Sequence, residues 1–282
     1  NYLQLLADEF DGACSIGIDK NFPARFLMPL MDLVDECHFE LGSECVDRVR
    51  MVKDEKEQQL MIEASKINDL VVDEVINICA KGNLTEKEVS DQLAGIYQKH
   101  GCTGNSFEPI VAYGKNGADN HHSGDDSTLK PGDSIVIDIG GLYKGYCSDM
   151  TRTVFYKEVS PKQKAVYELV LKAQKAAEAM IKPGVRLCDI DKCARDIIAE
   201  GGYTVEFNHR LGHFIGRDVH EWGDVSQNYD IEVQEGMTFS IEPGVYLQGE
   251  FGVRIEDLVL VTEDGCKALN SYPKDLKVIG ND

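Results

Sequence analysis

The chain has no long apolar segment. None of its hydrophobic runs approaches the ~20 residues that a membrane-spanning helix needs, and its first residues lack the charged and then apolar pattern of a signal segment. Hydrophobic residues still make up 43% of the 282 positions, which is enough to bury one large core or two smaller ones. We therefore expect a soluble, cytoplasmic protein that does not bind membranes.

Positive charge is also scarce. The 29 Lys and Arg residues are outnumbered by 49 Asp and Glu residues, which gives a formal net charge of −20. Such a charge argues against a nucleic-acid partner or an anionic membrane surface. The segment GKNG at 114–117 does not continue to the G-K-[ST] of a phosphate-binding loop, so no nucleotide site is predicted. The nine cysteines form no C-x-x-C pair and are odd in number, which favours reduced thiols over a disulfide framework.

Five residues of metal-ligand type occur in the last 150 or so positions of the chain. They are Asp138, Asp149, His213, Glu242 and Glu256. The two aspartates lie in DIGGLYKGYCSDMTRT, which is typical of one β-hairpin with a glycine-rich turn region. Without metal, four clustered carboxylates would repel one another and some would take up protons, whereas two dications would keep them ionised. The set therefore predicts a dinuclear metal centre.

The other three residues each lie in an apolar, glycine-punctuated stretch. HRLGHFIGRDVHE holds three histidines, MTFSIEPGVY places Glu242 after an apolar run, and GVRIEDLVLV places Glu256 in a predicted strand. A carboxylate buried there needs a partner. The alternative to metal binding is a set of separate ion pairs, Arg254 with Glu256 and Arg217 or Arg210 with Asp218.

These motifs together resemble one known family. The creatinase, methionine aminopeptidase and Xaa-Pro peptidase group has two aspartates eleven apart, a histidine in G-H-x-[IV]-G, a glutamate in E-P-G and a glutamate in R-I-E-D, and all are present here. The resemblance runs from about residue 48 to the end. It implies the α+β pita-bread fold, with two pseudo-symmetric halves and a cleft between them. Phe214 departs from the pattern, which has a second glycine there, and we expect it to narrow the cleft.

The resemblance also implies how the ligands divide between two ions. Asp149 and Glu256 bridge them, Asp138 completes one site, and His213 with Glu242 completes the other. Glu242 is further expected to carry a proton to the leaving proline nitrogen. Oxygen-rich coordination favours Mn²⁺, while the histidine leaves Co²⁺, Fe²⁺ and Zn²⁺ open.

Other residues are similar to the Xaa-Pro branch of that family. HR-x-GH, EPGVY and GVRIED contribute His209, Tyr246 and Arg254 as predicted substrate-binding residues. By the same resemblance, His209 lines the space for the proline ring. His220 and His121 match catalytic positions that contact the substrate carbonyl.

The segment GKNGADNH matches the family's G-x-N-x-x-x-P-H, with Asn120 in place of the proline before His121. The neighbouring His122 is expected to be a solvated loop residue without a role.

The order of predicted elements suggests a duplication. One helix is predicted over 54–81, and a second begins at the capping box formed by Thr85 and Glu88. Strands at about 108–113 and 133–156 follow these two helices. A helix that starts at Ser160-Pro161 and runs to about 180, and another over 187–200, then precede strands through 262. Residues 46–282 are therefore predicted to be the catalytic domain. Residues 1–45, a strand, a helix and a strand, resemble the remnant of an amino-terminal α/β domain.

Three classes of function follow. The first is an exopeptidase with two metal ions that acts on peptides whose second residue is proline, either as a dipeptidase or as an aminopeptidase. The second is a methionine aminopeptidase-like enzyme, and the third is a metal-free creatinase-like relative or binding module. The resemblance is also compatible with a homodimer.

Overall fold

The computed structural model describes residues 2–10, 12 and 15–281. The chain divides into two compact units, residues 1–50 and 51–282. The proposed role of the first unit as a domain remnant stays a prediction.

The described residues of the first unit form two short parallel strands and three helices. Strand β1 pairs with β2 in the register Ser15↔His38 to Ile18↔Leu41. The predicted strand, helix and strand are present. The predicted first strand is ACSIGID at 13–19, and its first two residues, Ala13 and Cys14, lie outside the described residues. The elements are α1 (Tyr2–Asp8), β1 (Ser15–Ile18), α2 (Ala24–Leu33), β2 (His38–Leu41) and α3 (Ser43–Met51), which crosses the boundary.

The second unit alternates pairs of helices with groups of strands. Its helices are α4 (Glu55–Ala80), α5 (Glu86–Lys99), a 3₁₀ helix (Gly114–Ala118), α6 (Pro161–Met180) and α7 (Leu187–Glu200). Its strands are β3 (Ile110–Tyr113), β4 (Ser134–Ile139), β5 (Leu142–Tyr143), β6 (Tyr146–Cys147), β7 (Met150–Tyr156), β8 (Gly212–His213), β9 (Asp224–Val225), β10 (Thr238–Ile241), β11 (Gly244–Leu247), β12 (Phe251–Arg254), β13 (Asp257–Val261), β14 (Cys266–Ala268) and β15 (Val278–Ile279).

Local sequence determines where the long helices begin. Helices α4, α5 and α6 each begin with a capping box, at Asp54, Thr85 and Ser160 respectively. In each box the side chain of the capping residue accepts a hydrogen bond from the backbone N–H three residues later, and the side chain of that later residue accepts one from the backbone N–H of the capping residue. Such reciprocal bonds satisfy backbone donors that a helix start leaves open. The predicted capping box at Thr85 and the predicted helix start at Ser160 are confirmed.

The first half of this unit is a four-stranded sheet in the order β15-β7-β4-β3. Strands β4 and β7 pair antiparallel from Ser134↔Phe155 to Ile139↔Met150, so the predicted hairpin is present. A second hairpin, β5 with β6, is inserted at its tip and turns at Lys144 and Gly145, both at positive φ. Two such residues are what a tight hairpin turn requires. Helices α4 and α5 bury their apolar faces against this sheet.

The second half repeats this order with its own core. Helices α6 and α7 pack with strands β10 to β13, and β10 pairs antiparallel with β13. A bridge between Phe214 and Phe239 joins the end of β8 to β10. The hydrogen bond from the Glu256 backbone N–H to the Thr151 carbonyl, 3.1 Å long, links the strands of the two halves.

Among the described residues, no helix is both long enough and apolar enough to cross a membrane.

Candidate active site

The predicted metal ligands lie at equivalent strand ends in the two halves. Asp149 directly precedes β7 and Glu256 directly precedes β13, while Asp138 and Glu242 lie at the carboxyl ends of β4 and β10. His213 is the last residue of the short strand β8. The duplicated order of elements therefore brings two acids from each half to one place.

The structure brings all five side chains together. His213 Nε2 lies 3.5 Å from Asp149 Oδ2 and 3.4 Å from Glu242 Oε1. Ligand atoms of Asp149, His213 and Glu256 all lie within 4.8 Å of one another, and all three residues are buried. Asp138 and Glu242 also line the cavity into which this cluster opens.

The charges of this cluster require compensation. Burial raises the pKa of Asp149 and of Glu256 well above the usual range, and neighbouring carboxylates add to the effect. Burial lowers the pKa of His213, which favours the neutral ring that ligates metals. One oxygen each of Asp138, Asp149 and Glu256 is buried and has no hydrogen-bond partner among the described residues. Buried unpaired oxygens on clustered acids fit divalent cations.

A chain of hydrogen bonds leads from this cluster to the cavity wall. Arg254 Nη2 donates to Asp138 Oδ2 at 2.6 Å, and Arg254 Nη1 donates to the Tyr246 hydroxyl at 2.9 Å. The hydroxyl in turn lies 2.9 Å from Nε2 of His209. His209 Nδ1 contacts the Arg210 carbonyl at 2.6 Å, so the proton is on Nδ1 and Nε2 accepts. Burial, with Arg254 nearby, lowers the pKa of His209 to about 3.

The remaining predicted site residues differ in whether they line the cavity or lie behind its wall. His121, His209, His220 and Arg254 line a cavity of about 580 Å³ together with the cluster. Tyr246 is only 2% exposed and lies behind this wall, where it contacts His209 and Arg254. The ring of His220 meets that of His213 edge-on, with centroids 4.4 Å apart. Burial lowers the pKa of His220 to about 4.

Two expectations about neighbouring residues are wrong. Phe214 does not narrow the cleft, because side chains alternate along a strand and it points away from His213 into the core, against Phe239. His122 is not a solvated loop residue, because its Nε2 contacts the fully buried Glu86 carboxylate at 2.6 Å.

The alternative of separate ion pairs is also not what the structure shows. Arg254 pairs with Asp138 rather than with Glu256, and Arg210 pairs with Asp224.

Sequence reasoning missed two hydroxyls that orient the ligands. Thr151 Oγ1 donates to Glu256 Oε2 at 2.8 Å and accepts from Arg254 Nε at 3.0 Å. Ser240 Oγ accepts from the His213 backbone N–H at 2.9 Å and donates to Glu242 Oε1 at 3.0 Å. Both residues are fully buried. A hydroxyl two positions from a predicted ligand within an apolar strand is the signal that could have indicated them.

Comparison with known proteins agrees with this arrangement. Residues 59–263 match the model of metallopeptidase family M24. A putative dipeptidase of Bacillus subtilis is 45% identical over 241 residues, which cover 86% of this chain and 66% of that protein. An Xaa-Pro dipeptidase of Pyrococcus horikoshii is 38% identical over 273 residues, which cover 95% of this chain and 78% of that protein. The chain thus spans about two thirds of the Bacillus subtilis relative's length.

Solved structures give the same result. The prolidase of Pyrococcus horikoshii superposes with a TM-score of 0.92 at 37% identity, covering 97% of this chain and 79% of that one. The Xaa-Pro dipeptidase of Bacillus anthracis superposes with a TM-score of 0.94 at 33% identity, covering 99% and 79%.

A two-half α+β fold with clustered acids at its centre defines a metallopeptidase of the pita-bread class. The chain belongs to metallopeptidase family M24. The predicted family and fold class are therefore confirmed.

Proposed function

We propose that this protein is a metal-dependent exopeptidase with two divalent ions, which hydrolyses the bond between an amino-terminal residue and a following proline. The observation that carries the proposal is the chain from Asp138 through Arg254 and Tyr246 to His209. It joins the predicted metal ligands to the cavity wall where a substrate would lie. Because the relatives from Bacillus subtilis and Pyrococcus horikoshii are named as dipeptidases, we propose an Xaa-Pro dipeptide as the substrate.

The five predicted ligands would hold the ions, and the unpaired oxygens of Asp138, Asp149 and Glu256 support this assignment. Divalent ions there would supply Lewis acidity, which polarises a carbonyl and lowers the pKa of a water. Four carboxylates and one imidazole form a hard ligand set, so we propose Mn²⁺ as the preferred ion.

The chain's own residues would position the substrate and move the proton. Glu242 borders both the cluster and the cavity, and burial raises its pKa, which suits a carboxyl that accepts a proton and passes it to the proline nitrogen. His121 and His220 would each donate a hydrogen bond to the substrate carbonyl oxygen. His220 stays neutral at ordinary pH because of its lowered pKa, so it donates without adding a charge near the ions.

His209 would form the wall against which the proline ring packs. Its ring is fixed on three sides, by the Arg210 carbonyl, by Tyr246 and edge-on by Phe207 at 5.2 Å between centroids. A ring fixed in this way can select a substrate of fixed shape, because rigid placement of the scissile bond is what favours attack.

Two further proposals concern the cellular location and the oligomeric state of the enzyme. We propose a cytoplasmic location, which the unbridged thiols of seven described cysteines support, namely Cys45, Cys79, Cys102, Cys147, Cys188, Cys193 and Cys266. We also propose a homodimer, which light scattering on the purified protein tests directly.

The function is tested by comparing kcat/KM for Ala-Pro, Ala-Ala, Met-Gly and the tripeptide Ala-Pro-Gly, with and without added Mn²⁺. Lost apolar contacts alone give a preference of about 10- to 200-fold, so we expect at least that ratio for Ala-Pro over Ala-Ala. Asp149→Asn should be inactive. Asp91→Asn, which removes an exposed pair with Lys87, is the matched control and should match the wild type.

Other outcomes would change the proposal. Equal rates on Ala-Pro and Ala-Ala would remove the proline specificity. A preference for Met-Gly would favour the methionine aminopeptidase-like alternative. No hydrolysis of any of the four peptides by metal-loaded protein would favour a creatinase-like relative.

A further inference from the structure

A single buried carboxylate lies at the start of helix α5, on the side facing the segment that carries His121. Glu86 has a fully buried side chain. Its Oε1 accepts from the Tyr113 backbone N–H at 2.6 Å and from Asn116 Nδ2 at 3.0 Å. Its Oε2 accepts from His122 Nε2 at 2.6 Å and from the Asp125 backbone N–H at 3.1 Å.

All four donors belong to residues 113–127, which we call the His121 segment. The segment also binds the first turn of α5 through its backbone, because the N–H groups of Glu86 and Lys87 donate to the carbonyls of Ser127 and Asp125. Asn116 adds a bond to the Ser127 hydroxyl at 3.1 Å. The segment is therefore wrapped around Glu86.

His121 lies between two fixed points of this segment. On one side its backbone N–H donates to Asp119 Oδ1 at 3.0 Å. On the other side the next residue, His122, contacts Glu86. His121 itself is exposed to the cavity and belongs to neither a helix nor a strand. Its direction is consequently set by its neighbours and not by regular secondary structure.

We propose that Glu86, acting through His122, is a positioning residue that holds His121 toward the substrate. The inference rests on the proposed function, since it concerns the orientation of a proposed substrate-contacting histidine. Glu86 does not reach the cavity, so its effect would be on turnover rather than on metal binding.

A metal site is the competing explanation for Glu86, His122 and Asp125, which could present ligand atoms within 4.8 Å of one another. The hydrogen bonds argue against it. An ionised carboxylate offers about four lone-pair sites, and Glu86 already uses two on each oxygen for donors from the protein.

The test compares Glu86→Gln and His122→Ala with Glu88→Gln. Glu88 is two residues away on the same helix. Among the described residues, its side chain accepts a hydrogen bond only from the Thr85 backbone N–H, a role that Gln also performs. Because a displacement of ~1 Å can cost ~10²-fold in rate, we expect Glu86→Gln and His122→Ala to lower kcat by about 10- to 100-fold. KM and metal content should stay near wild type, and Glu88→Gln should be unaffected.

A rescue variant separates positioning from general damage. Asp119 is extended, with φ −96° and ψ 110°, a conformation that the residue before a proline can adopt. The backbone N–H of Asn120 donates to none of the described residues. Asn120→Pro should therefore be tolerated alone, and it should restore part of the kcat lost in His122→Ala by stiffening the segment. Wild-type kcat in His122→Ala, or lost turnover that Asn120→Pro does not restore, would overturn the proposal.

A measurement independent of activity separates this inference from the proposed function. The NMR signals of the His121 ring should be sharp in the wild type and broadened or shifted in Glu86→Gln and His122→Ala, while those of His100 should not change. If these NMR changes occur in a protein that does not hydrolyse Xaa-Pro peptides, the positioning of His121 by Glu86 is supported and the proposed function is refuted. Unchanged His121 signals, or loss of a bound ion on changing His122, would refute the positioning. If Glu86→Gln fails to fold, the His121 ring signals of His122→Ala decide between the two outcomes, because His122 also lines the cavity and its replacement changes the cavity wall as well.

Discussion

Replacing Thr151 by valine should weaken metal binding and stability together. The Thr151 hydroxyl donates to Glu256 Oε2 and accepts from Arg254 Nε, and the residue is fully buried. Valine has the same shape but no hydroxyl, so it leaves the Arg254 Nε–H without this acceptor and frees Glu256 to rotate. A residue that orients a metal ligand typically contributes about 10- to 100-fold in metal affinity, and we expect a loss of that size.

The cost in stability follows from the same contacts. Leaving a buried donor unsatisfied costs about 1–3 kcal/mol. At about 2–4 °C per kcal/mol for a chain of this size class, a loss of about 2 kcal/mol lowers the unfolding midpoint of the metal-free protein by about 4–8 °C.

Thr151→Ser is the matched control, because it keeps the hydroxyl and removes only one buried methyl group, worth about 1 kcal/mol. Its metal affinity, measured by competition with a chelator, should stay near wild type. The reasoning fails if Thr151→Val binds metal as tightly as the wild type, or if Thr151→Ser loses as much affinity as Thr151→Val.

Four other substitutions test separate parts of the site. His213→Ala should lose metal and activity together, since it removes the only nitrogen ligand of the cluster; two tightly bound ions with normal turnover would contradict this. His121→Ala and His220→Ala should keep both ions but lose ~10²-fold in rate, as expected for removing a donor to a developing oxyanion; wild-type rate constants would exclude that role. The pKa of His209 is about 3 in the fold and ~6.5 in the unfolded chain, so the unfolded chain binds its proton more readily. This contribution to stability is present above pH ~6.5 and is lost as pH falls toward ~3, so unfolding midpoints of the wild type should fall more over that range than those of His209→Gln.

Much of the fold could be predicted because its signals are local. The capping box at Thr85 and the Ser160-Pro161 helix start involve residues three positions apart or fewer. The four clustered acids and the histidine were identifiable because each lies in or directly beside a short, mostly apolar strand. Their assembly into one site follows from the resemblance of the motifs and not from any single stretch.

The features that the sequence did not indicate are contacts between residues that are far apart in the chain. Glu86 and His122 are 36 positions apart, and Thr151 and Glu256 are 105 apart. Phe214 was expected to narrow the cleft because the family pattern has a glycine at its position, whereas strand alternation sends its side chain into the core. A local sequence pattern does not specify which distant helix start or strand a polar side chain will form a hydrogen bond with.

The most direct test of the dinuclear centre is anomalous X-ray diffraction from crystals of the Mn²⁺-loaded protein, recorded on both sides of the manganese absorption edge. We predict two anomalous peaks in the cavity, both contacted by Asp149 and Glu256, one also by Asp138 and the other also by His213 and Glu242. A single peak, or peaks that avoid these side chains, would contradict the account.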